Sequence, residues 1–311
     1  MEKIILKNSE LEVSRLCFGG CPMGGYGWGK VSEEELINAV QCAVAEGINF
    51  FDNADTYGLG KSEETLAKAL GNKRNQVVIG TKFGVRVENG KTSYDNSPEW
   101  IVKALEGSLR RLKTDYIDLY QVHYRDGKTP ISVVVETLEK LCKKGYIRHY
   151  GLSNIHQDDL EELKGEVGKF VSFQDEYSLA CRKNEQDMFE LSEKLKLTPI
   201  TWGSLGQGIL SGKYDKNSTF GTDDRRSRDI YVNFHGDKLL KNLEIVEVLK
   251  EIAKEVNRPI PAVAIRWILD YLADSAVIVG IKNKGQLEGN MEALGWKLTE
   301  EQIKRLTEVS R

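Results

Sequence analysis

A chain of 311 residues is long enough for two ordinary domains or for one large α/β barrel, so length leaves both readings open. Lys+Arg of 44 against Asp+Glu of 47 lacks the electrostatic footprint of a protein that binds nucleic acid or an anionic membrane surface, which leaves a small molecule as the expected partner. The five cysteines, Cys17, Cys21, Cys42, Cys142 and Cys181, are odd in number and scattered, with no C-x-x-C pair or His cluster that would hold zinc.

The N-terminal stretch Met1 to Glu10 mixes charge with aliphatics and lacks the regions of a signal peptide, so a soluble, cytoplasmic protein is expected. No apolar run approaches a membrane span. Ile4 to Val13 alternates around Asn8 and Ser9 and predicts a hairpin ahead of the main fold. Eight apolar, β-rich runs follow: Leu16 to Gly20, Asn49 to Asp52, Val77 to Lys82, Tyr116 to His123, Arg148 to Asn154, Phe170 to Gln174, Pro199 to Ser204 and Ala276 to Ile281. Each reads as a strand buried on both faces. Amphipathic segments lie between them, with Leu36, Val40 and Val44, then Ile101, Leu105, Leu109 and Leu112, then Val134, Leu138 and Leu141 at helical spacing. Ser32 with Glu35 and Thr299 with Gln302 predict capping boxes, and Ser97 precedes Pro98 at a first helical position. Lys213 to Gly236 is polar and reads as a long loop before a helix beginning near Asp237.

Eight βα repeats without a domain-sized break predict one α/β domain over 1–311, a (β/α)₈ TIM barrel with an N-terminal β-hairpin and extra C-terminal helices. A doubly wound sheet would want a Gly-x-Gly-x-x-Gly turn after its first strand. Here Gly24, Gly25, Gly27 and Gly29 are interleaved by Tyr26 and Trp28, which reads as a mobile aromatic loop over a pocket.

Barrel sites form at the C-terminal ends of the strands, so Asp52, Lys82 and His123 should share one mouth, with Tyr57 just past the first of them. Reducing a carbonyl needs a hydride on carbon and a proton on oxygen. A free phenol titrates near ~10, too high to be a ready acid. A neighbouring ammonium would lower it, and an ion pair with a carboxylate would hold that ammonium in place. Tyr57, Lys82 and Asp52 supply those three parts, and His123 could hydrogen-bond the carbonyl and orient it.

Asp52-Asn-Ala-Asp-Thr-Tyr57-Gly resembles the D-x-A-x-x-Y-G signature of the aldo-keto reductase superfamily, and Thr81-Lys82-Phe83-Gly84 is similar to its lysine motif. Ser108 through His123 resembles the family's second signature, and Gly151-Leu-Ser-Asn154 its G-x-S-N strand end. The resemblance runs along the whole chain. It implies a (β/α)₈ fold, NADP(H)-dependent reduction of a carbonyl without metal, NAD(H) being the lesser alternative, and catalytic roles for Asp52, Tyr57, Lys82 and His123.

Carried over residue by residue, the resemblance has Ser153, Asn154 and Gln174 hold the nicotinamide carboxamide, with Tyr177 or an aromatic near it stacked on the ring. Trp202, Gly203, Leu205 and Gln207 resemble the loop around the pyrophosphate, although the family's Ser-Pro-Leu is replaced by Gly203, Ser204 and Leu205. Lys282 would meet a 2′-phosphate, and Asn290 the adenine, although Gly289 stands where an acidic residue is common. Gly20, Cys21, Lys213, Gly280 and Gln286 complete the cofactor contacts that the resemblance implies.

Tyr26, Trp28, Tyr124 and Arg125 are the candidate pocket residues, the last two standing where many members carry Trp and Pro. Arg125 suggests an anionic or polyol-bearing substrate such as a sugar derivative. Two other readings of the same motifs are an NADPH-binding regulatory subunit similar to the β-subunits of potassium channels, and a sugar or polyol dehydrogenase running in the oxidative direction.

Overall fold

The computed structural model describes residues 1–25, 27–29 and 31–311. A first hairpin pairs β1 (Lys3–Ile5) with β2 (Glu12–Ser14). The barrel strands are β3 (Leu16–Gly19), β4 (Phe50–Asp52), β5 (Val78–Phe83), β8 (Ile117–Val122), β9 (Ile147–Ser153), β10 (Ser172–Glu176), β11 (Thr198–Trp202) and β12 (Ala276–Gly280). A second hairpin, β6 (Val85–Glu88) with β7 (Lys91–Tyr94), interrupts them after β5. Among the described residues, eight parallel strands close a barrel in chain order, with β12 pairing β3 through Val277↔Leu16 and Gly280↔Gly19. All eight predicted runs are barrel strands.

The helices are α1 (Glu33–Ala45), α2 (Lys61–Leu70), α3 (Pro98–Leu112), α4 (Ile131–Lys143), α5 (Leu160–Leu163), α6 (Glu185–Lys194), α7 (Gly236–Val256), α8 (Ile260–Tyr271), α9 (Lys284–Met291) and α10 (Glu300–Val309). Thr299 and Gln302 make the reciprocal box expected of them, while Ser32 acts as a one-sided cap that accepts from the Glu35 amide. The C-terminal helix α10 is fastened to α7 by Arg305, which pairs with Glu251 and Glu255 at 2.7 Å.

Side chains alternate across the strands, and this alternation positions the site. One set, Cys17, Phe50, Val78, Leu119, Ile200 and Ile278, fills the barrel interior above Leu6 and Val13 of the first hairpin. The other set, including Phe18, Phe51, Ile79, Tyr120, Leu152, Phe173 and Val279, packs outward against the helices. Two residues beyond an interior position the next side chain also points inward, but higher, at the mouth. Asp52 follows Phe50 in this way, Gln121 and then His123 follow Leu119, and Trp202 follows Ile200. Lys82 shares this face, four residues beyond Val78.

Candidate active site

Lys82 Nζ donates to Asp52 Oδ2 at 2.6 Å and to the Asn53 backbone carbonyl at 2.8 Å, with both side chains almost fully buried. The other carboxylate oxygen, Asp52 Oδ1, accepts from Gln174 Nε2 at 2.5 Å and from Gln121 Nε2 at 3.3 Å. A buried ion pair is tolerable only when its remaining hydrogen-bonding capacity is met, and the two glutamines meet it. Gln121 escapes a reading based on strand ends alone. The signal that finds it is its place two residues before His123, on the same face.

Tyr57 lies in the loop after β4, its amide donating to the Ala54 carbonyl at 3.1 Å. The following Gly58 has φ +60°, and a Cβ there would stand 2.2 Å from the Gly24 carbonyl oxygen. Only glycine lets this loop press against the first one. Tyr57 presents its hydroxyl 3.5 Å from Lys82 Nζ, and its ring stands edge-on to His123 at 6.0 Å between centroids.

Burial first, and Asp52 next, push the Tyr57 phenol well above its ordinary value. This corrects the expectation that Lys82 lowers it. The ammonium is committed to Asp52, so the pair presents little net charge to the phenol, which stays protonated. Burial, then the Lys82 charge, hold the His123 imidazole well below its ordinary value, so the ring is neutral. Its Nδ1 is buried without a hydrogen-bond partner among the described residues.

On the opposite half of the mouth, Ser153 Oγ is likewise buried and unpartnered among the described residues. Asn154 donates its amide N–H to the Gln174 carbonyl at 2.8 Å and its side-chain Nδ2 to the His123 carbonyl at 2.9 Å. Gln174 spends its Nε2 on Asp52 and Gln121, so the group it offers the mouth is its carbonyl oxygen. An orphaned hydroxyl donor beside a free amide acceptor fits a carboxamide.

Tyr177 does not join them. It is fully buried, its hydroxyl donates to Glu185 at 2.6 Å, and its ring stacks on Trp267 at 5.8 Å. The expectation that it stacks on a bound ring is corrected by this burial. Trp202, half-buried and inward at the end of β11, is the aromatic that the mouth receives.

Around the rim, Gly203 (φ +65°) and Gln207 (φ +55°) shape the turn after β11, and Gln207 Nε2 donates to Glu176 at 2.9 Å. Ser204 Oγ turns into the barrel wall and donates to the Ile278 carbonyl at 2.9 Å, while Leu205 packs on the core. Gly20 donates to the Asp52 carbonyl at 2.7 Å, and a Cβ there would lie 2.9 Å from that same oxygen. Cys21 Sγ accepts from Trp28 Nε1 at 3.3 Å.

Lys282 Nζ donates to the Trp28 carbonyl at 2.8 Å, joining the end of β12 to the first loop. Burial and the nearby Arg226, with Lys213 adding to it, lower the Lys282 ammonium from its ordinary value. Arg226 is itself paired with Asp224, which leaves Lys282 and Lys213 as the charges that suit an anion beside the Asn283 cap of α9, whose side chain accepts from the Gln286 amide at 3.0 Å. Gln286 in turn accepts from the Lys282 amide, Asn290 is buried on α9, and Gly280 is exposed at the end of β12.

Of the pocket candidates, Tyr26 lies outside the described residues. Trp28 is half-buried, its ring edge-on to Tyr231 at 6.0 Å. Tyr124 stacks on His123 at 5.1 Å. Arg125 turns away, paired with Glu162 at 2.7 Å and Asp159 at 3.7 Å. Its placement in the pocket is therefore corrected: two acidic residues outside the mouth hold it.

Comparisons with known proteins agree with this geometry. The profile of the Aldo/keto reductase family matches residues 15–311. The chain is 33% identical to the aldo-keto reductase YhdN of Bacillus subtilis, over 99% of this chain and 93% of that one. It is 32% identical to a probable voltage-gated potassium channel subunit beta of Arabidopsis thaliana, over 93% and 90%. Among solved structures, the glycerol dehydrogenase of Gluconobacter oxydans superimposes with a TM-score of 0.89 at 32% identity, covering 99% of this chain and 94% of that one. Barrel, motifs and relatives together place the chain in the aldo/keto reductase family of oxidoreductases.

Proposed function

We propose that the protein is an NADPH-dependent reductase that converts an aldehyde or ketone to the alcohol, with Tyr57 as general acid. One observation carries this reading: the Tyr57 hydroxyl, 3.5 Å from Lys82, and the neutral His123 ring converge on one rim above the Asp52 carboxylate. The chemistry expected of bound NADPH is hydride donation to the carbonyl carbon. The chain's own residues do the rest. Tyr57 holds a proton for the carbonyl oxygen, and His123 donates a hydrogen bond to that oxygen and orients it. Ser153, Asn154 and Gln174 would hold the carboxamide, Trp202 would stack on the ring, and Lys282 would meet the 2′-phosphate.

Tyr57→Phe tests the reading. The variant should bind NADPH as the parent does, followed by quenching of protein fluorescence, and lose turnover on a carbonyl panel by roughly 10²- to 10⁴-fold. Full activity in that variant removes Tyr57 from the mechanism.

A second reading, oxidation of a polyol, is favoured by the likeness to a glycerol dehydrogenase. The same four residues would serve it with the proton moving to Tyr57 instead. The likeness to a potassium channel subunit beta supports a third, in which the cofactor is bound and sensed with little turnover. Stoichiometric capture of a partner, with negligible turnover in either direction, would favour that one.

A further inference from the structure

The second hairpin has no counterpart in the predicted elements, and its two faces differ. Val85 pairs with Tyr94 and Val87 with Thr92, so these four side chains share one face by the two-residue period. The opposite face carries Arg86, which pairs with Asp95 at 2.9 Å and Glu88 at 2.5 Å and lies 4.5 Å over the Trp100 ring of α3. The polar face is thus tied down to the barrel's flank.

The apolar face is turned to the mouth. Tyr94 sits 5.3 Å from Tyr124, and Tyr124 stacks at 5.1 Å on His123, giving a continuous run of three rings from the hairpin to the candidate site. The run is held in place by polar bonds. Asn96 Nδ2 donates to the Tyr124 carbonyl at 3.1 Å, Asn96 Oδ1 accepts from the Asp126 amide at 2.8 Å, and the Asp126 carboxylate accepts from the Asn96 amide at 2.8 Å. Gly84, at φ +101°, has the Tyr124 carbonyl 3.0 Å from where a Cβ would be, so the hairpin's root presses directly on the loop after His123.

Such a fastened hairpin leaves Tyr94 49% exposed and Val87 38% exposed. Large apolar side chains fixed in the open beside a catalytic mouth have a wall's shape and no anchor for charge. Arg125, the residue after Tyr124, is spent on Glu162 and Asp159, and Arg86 on the hairpin's other face is spent on Asp95 and Glu88. We infer that Tyr94 is a specificity-determining residue and that the substrate class is a carbonyl compound bearing an uncharged aromatic ring, which packs on Tyr94 and Tyr124. This rests on the proposed reductase reading for the fate of the carbonyl, and not for the packing of the ring.

The test compares the full-length parent with Tyr94→Ala and Tyr94→Phe. Benzaldehyde and propanal serve as substrates with NADPH, and benzaldehyde binding to the NADP⁺-loaded protein is measured by calorimetry. Tyr94→Ala should raise KM for benzaldehyde roughly three- to tenfold with kcat little changed, leave propanal unaffected, and weaken benzaldehyde binding by the same factor. Tyr94→Phe, which keeps the ring, should keep the parent's benzaldehyde KM and binding. An unchanged benzaldehyde KM and binding constant in Tyr94→Ala overturns the inference, as does an equal change for propanal. If the parent turns over neither aldehyde while Tyr94→Ala still loses benzaldehyde binding, the ring wall stands and the reductase reading falls.

Discussion

Lys82 Nζ stands 3.5 Å from the Tyr57 hydroxyl, well beyond its 2.6 Å contact with Asp52. The difference decides the phenol's protonation. An ammonium held by its own carboxylate stabilises phenolate weakly, and burial then dominates.

The pH profile should show this. Reduction uses the protonated phenol, present below its raised pKa, so kcat/KM for reduction should stay flat on the alkaline side up to about pH 9. Oxidation needs the phenolate and should climb throughout the same range. Because burial and Lys82 keep His123 neutral, neither profile should inflect near its ordinary 6.5. Initial rates in both directions from pH 5.5 to 9.5 check this, and an alkaline fall in reduction centred near pH 7 would contradict the assignment.

Lys82→Met should destabilise the protein by about 3–5 kcal/mol, because it leaves the Asp52 carboxylate buried with only its amide donors. The double variant Asp52→Asn with Lys82→Met should lose less, since no charge is then stranded. Urea unfolding of the parent, Asp52→Asn, Lys82→Met and the double variant measures the coupling. Additive losses would show that the two residues act independently.

Asp55 offers a stability switch separate from catalysis. Its Oδ1 is buried without a hydrogen-bond partner among the described residues, and burial, then Glu63, raise its carboxyl to about 7. Because the folded-state pKa lies above the ordinary 3.8, the folded protein keeps a proton that the unfolded chain releases. The associated stability is present at low pH and is lost as pH rises from about 4 through about 7, a span worth on the order of 4 kcal/mol. Asp55→Asn imitates the protonated form, so its melting temperature should gain on the parent's between pH 5 and pH 8. Thermal melts at those two pH values settle the sign, and an equal offset at both would dismiss the idea.

Lys282→Met should raise KM for NADPH by about 10- to 100-fold, the range expected for losing one charge-assisted contact, and leave KM for NADH nearly unchanged. Steady-state kinetics with both cofactors provide the comparison. A parallel rise for both would instead point to the Lys282 bond that holds the Trp28 carbonyl.

The barrel was legible because each strand is a short apolar run buried on both faces, a signal that the β6–β7 hairpin lacks. Lys91 to Tyr94 is exposed throughout, so its residues carry no burial pattern to read. Strand ends likewise located Asp52, Lys82 and His123, which the structure brings to one mouth. Choosing between Tyr177 and Trp202 is a matter of parity. Tyr177 stands four residues beyond the outward-facing Phe173 and packs into the same outer core, whereas Trp202 stands two beyond the inward-facing Ile200. Arg125 was misread because its acidic partners lie 34 and 37 residues further along the chain and nothing local announces them.

The bond from Gln174 Nε2 to Asp52 Oδ1 joins residues 122 positions apart, on strands that face each other across the barrel. It acts as a tie-beam between the two walls. Through Asp52 the same beam reaches Lys82, so a single chain of hydrogen bonds, Gln174 to Asp52 to Lys82, spans the mouth from wall to wall and fixes the two halves at one spacing.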